Sequence, residues 1–219
     1  MIDTLGSLES GEKYLLKVPG LPYEVKLPYV ILQEEKEKIR IVSFNLVGQI
    51  RLNKDLGVLI AKKIMEVIPE LENVAILTVV EKALQLTQVV SQNLGIDAVA
   101  VAYNRIKPHM ESERRPIIQV GADSITSGGK FLALYERDLN LIANASGGII
   151  FIDDVVSTGG TVFALTQLVE EVARYKDMPV PPEILGIFCV AREGTNHPLL
   201  PAPLYSLTGL PDPQVISTQ

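Results

Sequence analysis

Apolar residues recur along this chain with two alternating spacings. A helical spacing runs through LNKDLGVLIAKKIMEVI (52–68), where six aliphatic side chains share one face and Asn53 or Asp55 is available near the helix start. Short apolar runs, typical of buried parallel strands, are VAILTVV (74–80), AVAVA (98–102), IIFI (149–152) and ILGIFCV (184–190). Helical segments separate most of these runs. The alternation predicts an α/β fold in which a parallel sheet carries helices on both faces.

Two regions depart from this alternation. Residues 23–44 predict two extended segments joined by the charged turn EEKEK, which is typical of a solvated hairpin tip. Residues 103–146 hold two short strand-like runs, RPIIQV and KFLALY, on either side of GADSITSGG. An irregular region of this length in a compact domain usually serves as a lid or is disordered, with a plain surface hairpin as the alternative. We therefore expect a single domain, 1–219, with 103–146 as a flexible hood or lid insertion.

Composition restricts the classes of function. The chain has 219 residues, 47% of them apolar, which is enough for one domain with a substantial core. Its net charge of −6 argues against a nucleic-acid-binding surface, which is normally basic. Cys189, the only cysteine, lies in an apolar run, so we expect a buried inert thiol and no intramolecular disulfide. Without a signal peptide or an apolar stretch of about 20 residues, the expected protein is soluble, cytoplasmic and free of membrane contact.

The segment GGIIFIDDVVSTGGTVFALTQL (147–168) carries the strongest chemical signal. Asp153 and Asp154 follow an apolar run, and three hydroxyl side chains accompany the adjacent Gly159 and Gly160 before a helical pattern begins. One hydroxyl would suffice to cap that helix, and each glycine costs roughly 0.5–1 kcal/mol in chain entropy. That cost is understandable where backbone amides must approach a ligand closely. Amides and hydroxyls at a helix N-terminus form a cradle for a phosphate.

The two carboxylates upstream of this cradle would repel a phosphate. They are therefore expected to contact another part of the ligand: a diol, a bound cation or a centre that becomes positive. A molecule that combines a terminal phosphate, a vicinal diol and a carbon that turns cationic is an activated ribose 5-phosphate. Other phosphate motifs fit less well, because the chain contains neither G-x-x-x-x-G-K-[ST] nor G-x-G-x-x-G.

The stretch IIFIDDVVSTGGT (149–161) resembles the phosphoribosyl pyrophosphate-binding signature of the type I phosphoribosyltransferases. The resemblance implies that Asp153 and Asp154 bind the ribose 2′- and 3′-hydroxyls, or water molecules on a Mg²⁺ ion shared with pyrophosphate. Mg²⁺ is the cofactor that it implies. The loop that it places around the 5-phosphate consists of Ser157, Thr158, Gly159, Gly160 and Thr161.

Weaker similarity to the adenine and xanthine phosphoribosyltransferases extends over residues 76–110. In that pattern a small loop after a strand contacts pyrophosphate. The loop would be Thr78–Ala83 here, with Lys82 and Ala83 as contacts. Positive charge for the pyrophosphate would come from Arg105 or Lys107.

Three other segments resemble parts of the same enzymes. Residues 43–53 resemble a segment near the base pocket, which makes Phe44 and Asn45 candidate base contacts. SITSGGKFLALY (124–135) is similar to a mobile hood that returns to the sheet, and residues 192–207 to the C-terminal tail. Relatives are commonly dimers, so the resemblance implies a homodimer.

The resemblance implies transfer of ribose 5-phosphate from phosphoribosyl pyrophosphate to a purine base of adenine or xanthine type, with release of pyrophosphate. Val80, Ala83, Tyr103 and Asn104 depart from the usual family residues, the last two standing where an Arg-Lys pair is usual. Two alternatives stay open: a non-catalytic regulator that senses phosphoribosyl pyrophosphate through a degenerate pyrophosphate site, and an enzyme for another base such as orotate. Ser157 stands where some purine enzymes keep a carboxylate, so the proton of the base would leave by another route.

Overall fold

The computed structural model describes residues 2–3, 11–33, 37–105, 118–121, 131–194 and 199–216. The strands are β1 (Ile2–Asp3), β2 (Lys13–Leu16), β3 (Val25–Gln33), β4 (Lys38–Val42), β5 (Val74–Val79), β6 (Val99–Ala102), β7 (Ile118–Val120), β8 (Leu132–Leu134), β9 (Gly148–Val156), β10 (Ile184–Glu193), β11 (Leu204–Leu210) and β12 (Gln214–Ile216). The helices are α1 (Ile50–Val67), α2 (Leu84–Leu94), α3 (Glu136–Ala143) and α4 (Gly160–Tyr175). None of these helices has the length and apolar character needed to span a membrane.

The central sheet contains five strands in the order β11-β10-β9-β5-β6, and every neighbouring pair is parallel. Side chains of β9 alternate between its two faces: Ile150 and Ile152 pack with residues of α1 and α2, whereas Ile149 and Phe151 pack with residues of α3 and α4. The predicted architecture, a parallel sheet with helices on both faces, is confirmed. Cys189 is buried in β10 as expected, and burial raises the pKa of its thiol.

A second sheet contributes residues near the carboxyl edge of the central one. Its centre is the antiparallel hairpin of β3 and β4; β1 and β2 pair with β3, and β12 pairs antiparallel with β4. The two extended segments predicted within residues 23–44 are confirmed, whereas residues 34–36 of the turn lie outside the described residues. The chain leaves β4 at residues 43 and 44, which form part of a cavity wall.

Helix α1 starts earlier than the sequence pattern predicts. It begins at Ile50 without a side-chain cap, so neither candidate residue caps it. Asn53 is buried inside the helix, where its Nδ2 donates hydrogen bonds to the carbonyls of Leu46 (2.6 Å) and Gln49 (2.9 Å). The Gly48 N–H donates to Gln85 Oε1 (2.7 Å). These bonds fasten the loop after β4 to α1 and α2.

Part of the region predicted as a lid belongs to the core instead. β8 and α3 lie within residues 103–146, and Leu134, Leu139 and Ile142 are fully buried in the cluster that covers the central sheet. The prediction was wrong for these residues because their burial fixes them against β5 and α4. The lid remains a prediction for residues 106–117 and 122–130, which lie outside the described residues.

Asp138 of α3 satisfies a backbone donor at the edge of the central sheet. Its buried carboxylate accepts a hydrogen bond from the Val101 N–H (3.0 Å) and pairs with Arg137. Among the described strands, β6 has a sheet neighbour on one side only. The Asp138 side chain therefore accepts the hydrogen bond that a further strand would otherwise accept from this edge.

We expect Asp138→Ala to lower the free energy of unfolding by about 1–3 kcal/mol, because the Val101 N–H loses its partner. Asp138→Asn keeps an acceptor oxygen and should lose less. Urea unfolding followed by circular dichroism measures the change, with Glu136→Ala at an exposed position of the same helix as the control. Equal losses for Asp138→Ala and Glu136→Ala would contradict the role of Asp138.

Tyr23 is linked to α1 through Asp55 and Arg51. Its hydroxyl donates to Asp55 Oδ2 (2.5 Å), and the Arg51 guanidinium carbon lies 4.8 Å from the centre of the ring. Burial, followed by the hydrogen bond and the charge of Asp55, raises the pKa of Tyr23 from 10 to about 12. A group whose pKa is raised on folding stabilises the protein fully below its unfolded pKa and loses that effect as pH rises through the folded pKa.

The free energy of unfolding should therefore fall as pH rises from 10 to 12, since the unfolded chain releases the Tyr23 proton first. Tyr23→Phe has no proton to release, so its unfolding free energy should change less over this interval. Urea unfolding at successive pH values compares the two proteins. Tyr175→Phe, at an exposed position, is the control and should follow the unsubstituted protein. Parallel curves for Tyr23→Phe and Tyr175→Phe would contradict the assignment.

Candidate functional site

A cavity of about 330 Å³ lies at the carboxyl ends of β5, β9 and β10. Open α/β sheets bind ligands in the crevice at this edge. The second sheet provides one wall, and the loop after β5 provides another. The lining residues are Ile41, Val42, Ser43, Phe44, Val79, Lys82, Ala83, Asp153, Asp154, Val155, Ser157, Thr161 and Glu193.

Strand β9 is longer than the sequence predicts, and the extra residues include the two aspartates that line this cavity. It does not end at Ile152 but continues to Val156, since β10 pairs with it over that whole length. Its pairing with β5 ends at Ile152. Beyond that point one edge of β9 faces the cavity, and Asp153 and Asp154 line it.

The two carboxylates have different surroundings. Asp154 is 7% exposed, and within the described part of the chain its carboxylate has no hydrogen-bond or ion-pair partner. Asp153 is half-buried, and its Oδ1 accepts a hydrogen bond from the Asp154 N–H (2.9 Å). The Asp154 carboxylate lines the cavity, where it could accept hydrogen bonds from hydroxyl groups of a ligand or contact a cation.

The residues predicted to bind phosphate form a cup at the start of α4. Gly159 has φ of +78°, in the left-handed region that glycine adopts readily, and no side chain of the described residues caps the helix. The first N–H groups of a helix have no acceptor within it, and the helix dipole adds positive potential there. A space of about 30 Å³ lies in this cup. Its lining includes Ser157, Thr158, Gly159, Gly160 and Thr161, as well as Asp153.

The cup and the main cavity are neighbours, because Asp153, Ser157 and Thr161 line both. An anion held by the helix amides would thus lie beside a space that contains carboxylates. This combination suits one ligand with a phosphate at one end and a diol or a cationic centre further along.

The loop after β5 brings two predicted contacts to the main cavity. Lys82 is exposed and Ala83 is buried, and both line it. The peptide bond between Val80 and Glu81 is cis. Thr78 was also predicted in this loop, but it lies within β5, where its buried hydroxyl donates to the Ile152 carbonyl (2.8 Å). Thr78 therefore joins two strands, because pairing of β5 with β9 extends through it.

Arg105 lies in a second cavity of about 670 Å³. Tyr103 and Asn104 line it as well, together with Val80, Glu81, Leu84 and Val101. The Tyr103 ring packs edge-on against Tyr135, with centroids 5.3 Å apart, and burial followed by the charge of Asp138 raises its pKa. The loop after β5 borders both cavities. Lys107, the other predicted cation, lies outside the described residues.

The two candidate base contacts have different positions. Phe44 lines the main cavity and is 4% exposed, so its ring forms part of a rigid wall. Asn45 is exposed and does not line that cavity; its Oδ1 accepts a hydrogen bond from the Val47 N–H (3.0 Å). The structure therefore does not bring Asn45 to the site, because its side chain closes a local turn.

Glu193 is a lining residue that sequence reasoning missed. It is the last residue of β10 and is half-buried. Burial, followed by the charge of Asp212, raises its pKa. The available signal was an acidic residue close behind the long apolar run of β10, a pattern similar to that of Asp153 and Asp154 on β9, although Arg192 separates Glu193 from the run.

Among the described residues, no group of three His, Cys, Asp or Glu side chains could hold a metal ion. The two carboxylates of β9 suit a metal ion that takes only part of its ligands from the protein. Mg²⁺ in phosphate-transfer sites is commonly held by one or two carboxylates, by water and by oxygen atoms of the substrate. Asp153 and Asp154 could supply the protein's part of such a set.

No protein-family model and no curated protein match this sequence. Solved structures match it in fold. Adenine phosphoribosyltransferase from Rhodothermus marinus matches with a TM-score of 0.53 at 15% identity, over 83% of this chain and 94% of that chain. The enzyme from Giardia lamblia complexed with 9-deazaadenine gives 0.52 at 15% identity, over 83% and 93%, and adenine phosphoribosyltransferase from Thermoanaerobacter pseudethanolicus gives 0.51 at 13%, over 84% and 95%. The chain shares their fold.

Proposed function

We propose that this chain, which has a type I phosphoribosyltransferase fold, transfers ribose 5-phosphate from phosphoribosyl pyrophosphate to a purine base and releases pyrophosphate. The acceptor would be of the adenine or xanthine type. One observation carries the proposal: the N-terminus of α4 adjoins a cavity lined by the carboxylate of Asp154, which has no partner among the described residues. The first group suits a phosphate and the second suits a sugar diol, and phosphoribosyl pyrophosphate contains both.

The 5-phosphate would occupy the cup at residues 157–161. Backbone amides at the start of α4 would donate to its oxygen atoms, and the three hydroxyl side chains would add further donors. Asp153 and Asp154 would accept hydrogen bonds from the ribose 2′- and 3′-hydroxyls. Hydrogen bonds to charged acceptors are roughly twice as strong as those between neutral groups. The phosphate end and the ribose end of the ligand would therefore both be held in place.

Pyrophosphate would lie toward the loop after β5, where Lys82 faces the main cavity and Arg105 the second one. Mg²⁺, when bound, supplies positive charge to the leaving pyrophosphate, and Asp153 and Asp154 would hold it directly or through water. Lys82 would add a protein cation on the same side.

The chemistry that follows is cleavage of the bond between C1 of the ribose and an oxygen of pyrophosphate, which takes the electron pair. C1 becomes positive, and the carboxylates on β9 stabilise that charge more than the neutral ground state. The base then forms the bond to C1 from the side of Phe44. The second sheet lies on that side, so it helps to exclude water, which would otherwise capture the sugar.

A second candidate, a non-catalytic sensor of phosphoribosyl pyrophosphate, is supported by a specific observation. Tyr103, at a position where the family resemblance implies a cation, packs its ring against Tyr135. Among the described residues that line the main cavity, Lys82 is the only cation. Weak neutralisation of pyrophosphate would suit binding without turnover.

Incubation with phosphoribosyl pyrophosphate, Mg²⁺ and single bases tests the proposal, with release of pyrophosphate and formation of nucleotide as the readouts. Adenine, xanthine, hypoxanthine, guanine and orotate form the panel. Turnover with a purine is the expected result. Turnover with orotate alone would show that the acceptor is orotate and not a purine. Tight binding of phosphoribosyl pyrophosphate without turnover would support the sensor, and absence of binding would overturn both candidates.

A further inference from the structure

Glu193 ends β10, and Ser157 directly follows the neighbouring strand β9 at the same level of the sheet. Arg192 of β10 pairs in register with Val156 of β9, so each residue is one position beyond that pair. Neighbouring strands lie about 4.8 Å apart, which brings the two positions close together. Both residues line the main cavity.

Transfer to a purine requires a proton acceptor that the residues already assigned do not supply. A neutral base carries a proton on the ring nitrogen that bonds to C1, and the proton must leave when that bond forms. A Ser157 hydroxyl is a poor acceptor at neutral pH. Lys82 carries a positive charge, and Asp153 and Asp154 are assigned to the sugar and to Mg²⁺.

Glu193 has the surroundings of a proton acceptor. Within the described residues its carboxylate has no hydrogen-bond or ion-pair partner. A Cβ atom placed on Gly194 would lie 2.6 Å from Asp212 Oδ1, so the Asp212 carboxylate lies against the residue next to Glu193. Burial and this negative charge raise the pKa of Glu193, and a higher pKa makes a carboxylate a stronger base. Among the described residues, the charged groups around Glu193 are Lys82, Asp153 and Asp154 across the cavity, Arg192 beside it in β10 and Asp212 after β11.

We propose that Glu193 accepts the ring N–H proton of the incoming base as the bond from that nitrogen to C1 of the ribose forms. The C1–O electron pair leaves with pyrophosphate, and the nitrogen keeps the electron pair of its broken N–H bond. The proton resides on the Glu193 carboxylate until water removes it after release of the nucleotide. This assignment rests on the proposed function, and Asp212 acts as a positioning residue through its charge.

The test is the pH profile of kcat/KM for the base in the unsubstituted protein and its variants. Glu193→Gln should lower kcat by about 100-fold or more and remove the acidic limb of the profile. Asp212→Asn should move that limb to lower pH, because it removes a negative charge that raises the pKa of Glu193. Glu183→Gln, an exposed residue just before the other end of β10, is the matched control and should leave the profile unchanged.

Binding of phosphoribosyl pyrophosphate, measured by calorimetry, separates this proposal from the proposed function. Glu193→Gln should bind it as the unsubstituted protein does. If the variant keeps its acidic limb, or shows only a raised KM for the base, the assignment of Glu193 is overturned while the function stands. If the unsubstituted protein binds phosphoribosyl pyrophosphate but turns over no base, the function is overturned and the assignment with it.

Discussion

Asp154→Asn is expected to lower kcat for nucleotide formation by about 100-fold or more, as loss of one preorganised electrostatic group does in other enzymes. The amide keeps the shape of the carboxylate but removes the charge that faces C1. Asp154 lines the cavity and has no partner among the described residues, so neutralising it should not lower the free energy of unfolding. A variant that is equally stable and less active identifies a charge retained for chemistry.

Pyrophosphate release and urea unfolding measure the two effects on the same protein. Asp97→Asn is a suitable control, because Asp97 is exposed and precedes the amino end of β6, away from the cavity. It should change neither quantity appreciably. Unchanged turnover in Asp154→Asn would remove Asp154 from the site.

Gly159→Val should weaken binding of phosphoribosyl pyrophosphate by about 100-fold, equivalent to roughly two charge-assisted hydrogen bonds. Gly159 has φ of +78°, and a β-branched residue strongly resists that conformation. Relaxation of the backbone would turn amides of the cup, which encloses only about 30 Å³, away from the phosphate.

Backbone strain alone can also reduce binding through a loss of stability, and Gly95 provides a matched control for it. Gly95 ends α2 with φ of +71°, and a Cβ there would contact nothing within 4 Å. Gly95→Val should therefore be strained to a similar degree, about 1–2 kcal/mol, yet bind phosphoribosyl pyrophosphate normally. Calorimetric titration compares the two. Equal affinities for both variants would show that residue 159 does not shape a phosphate site.

The turn at residues 157–161, between a strand and a helix, was predictable because its signal is local, and phosphate binding there stays a prediction. Residues 157–161 are consecutive, and a glycine pair with hydroxyls before a helix has few other purposes. The central sheet was predictable for a related reason: apolar runs alternate with helical segments. Both inferences needed only the spacing of neighbouring residues.

The remaining parts of the site depend on residues that are distant in sequence. The length of β9 follows from its pairing with β10, which continues past Asp153 where the apolar run has already ended. α3 escaped prediction because it has eight residues and buries an aspartate, so its periodicity is weak. Glu193 carries an ordinary acidic side chain, and only the register of β10 places it beside Ser157. Tertiary pairing, rather than local propensity, decides each of these cases.

The pairing of β12 with β4 sets the order in which the site is assembled during synthesis. Val215 lies opposite Ile39, and the strand that it supports leads into the wall at residues 41–44. The ribosome releases residues 153–161 well before it releases Val215. Under the proposed function, a nascent chain would therefore carry the residues proposed to hold a sugar phosphate before it gains the strand that supports the wall at residues 41–44.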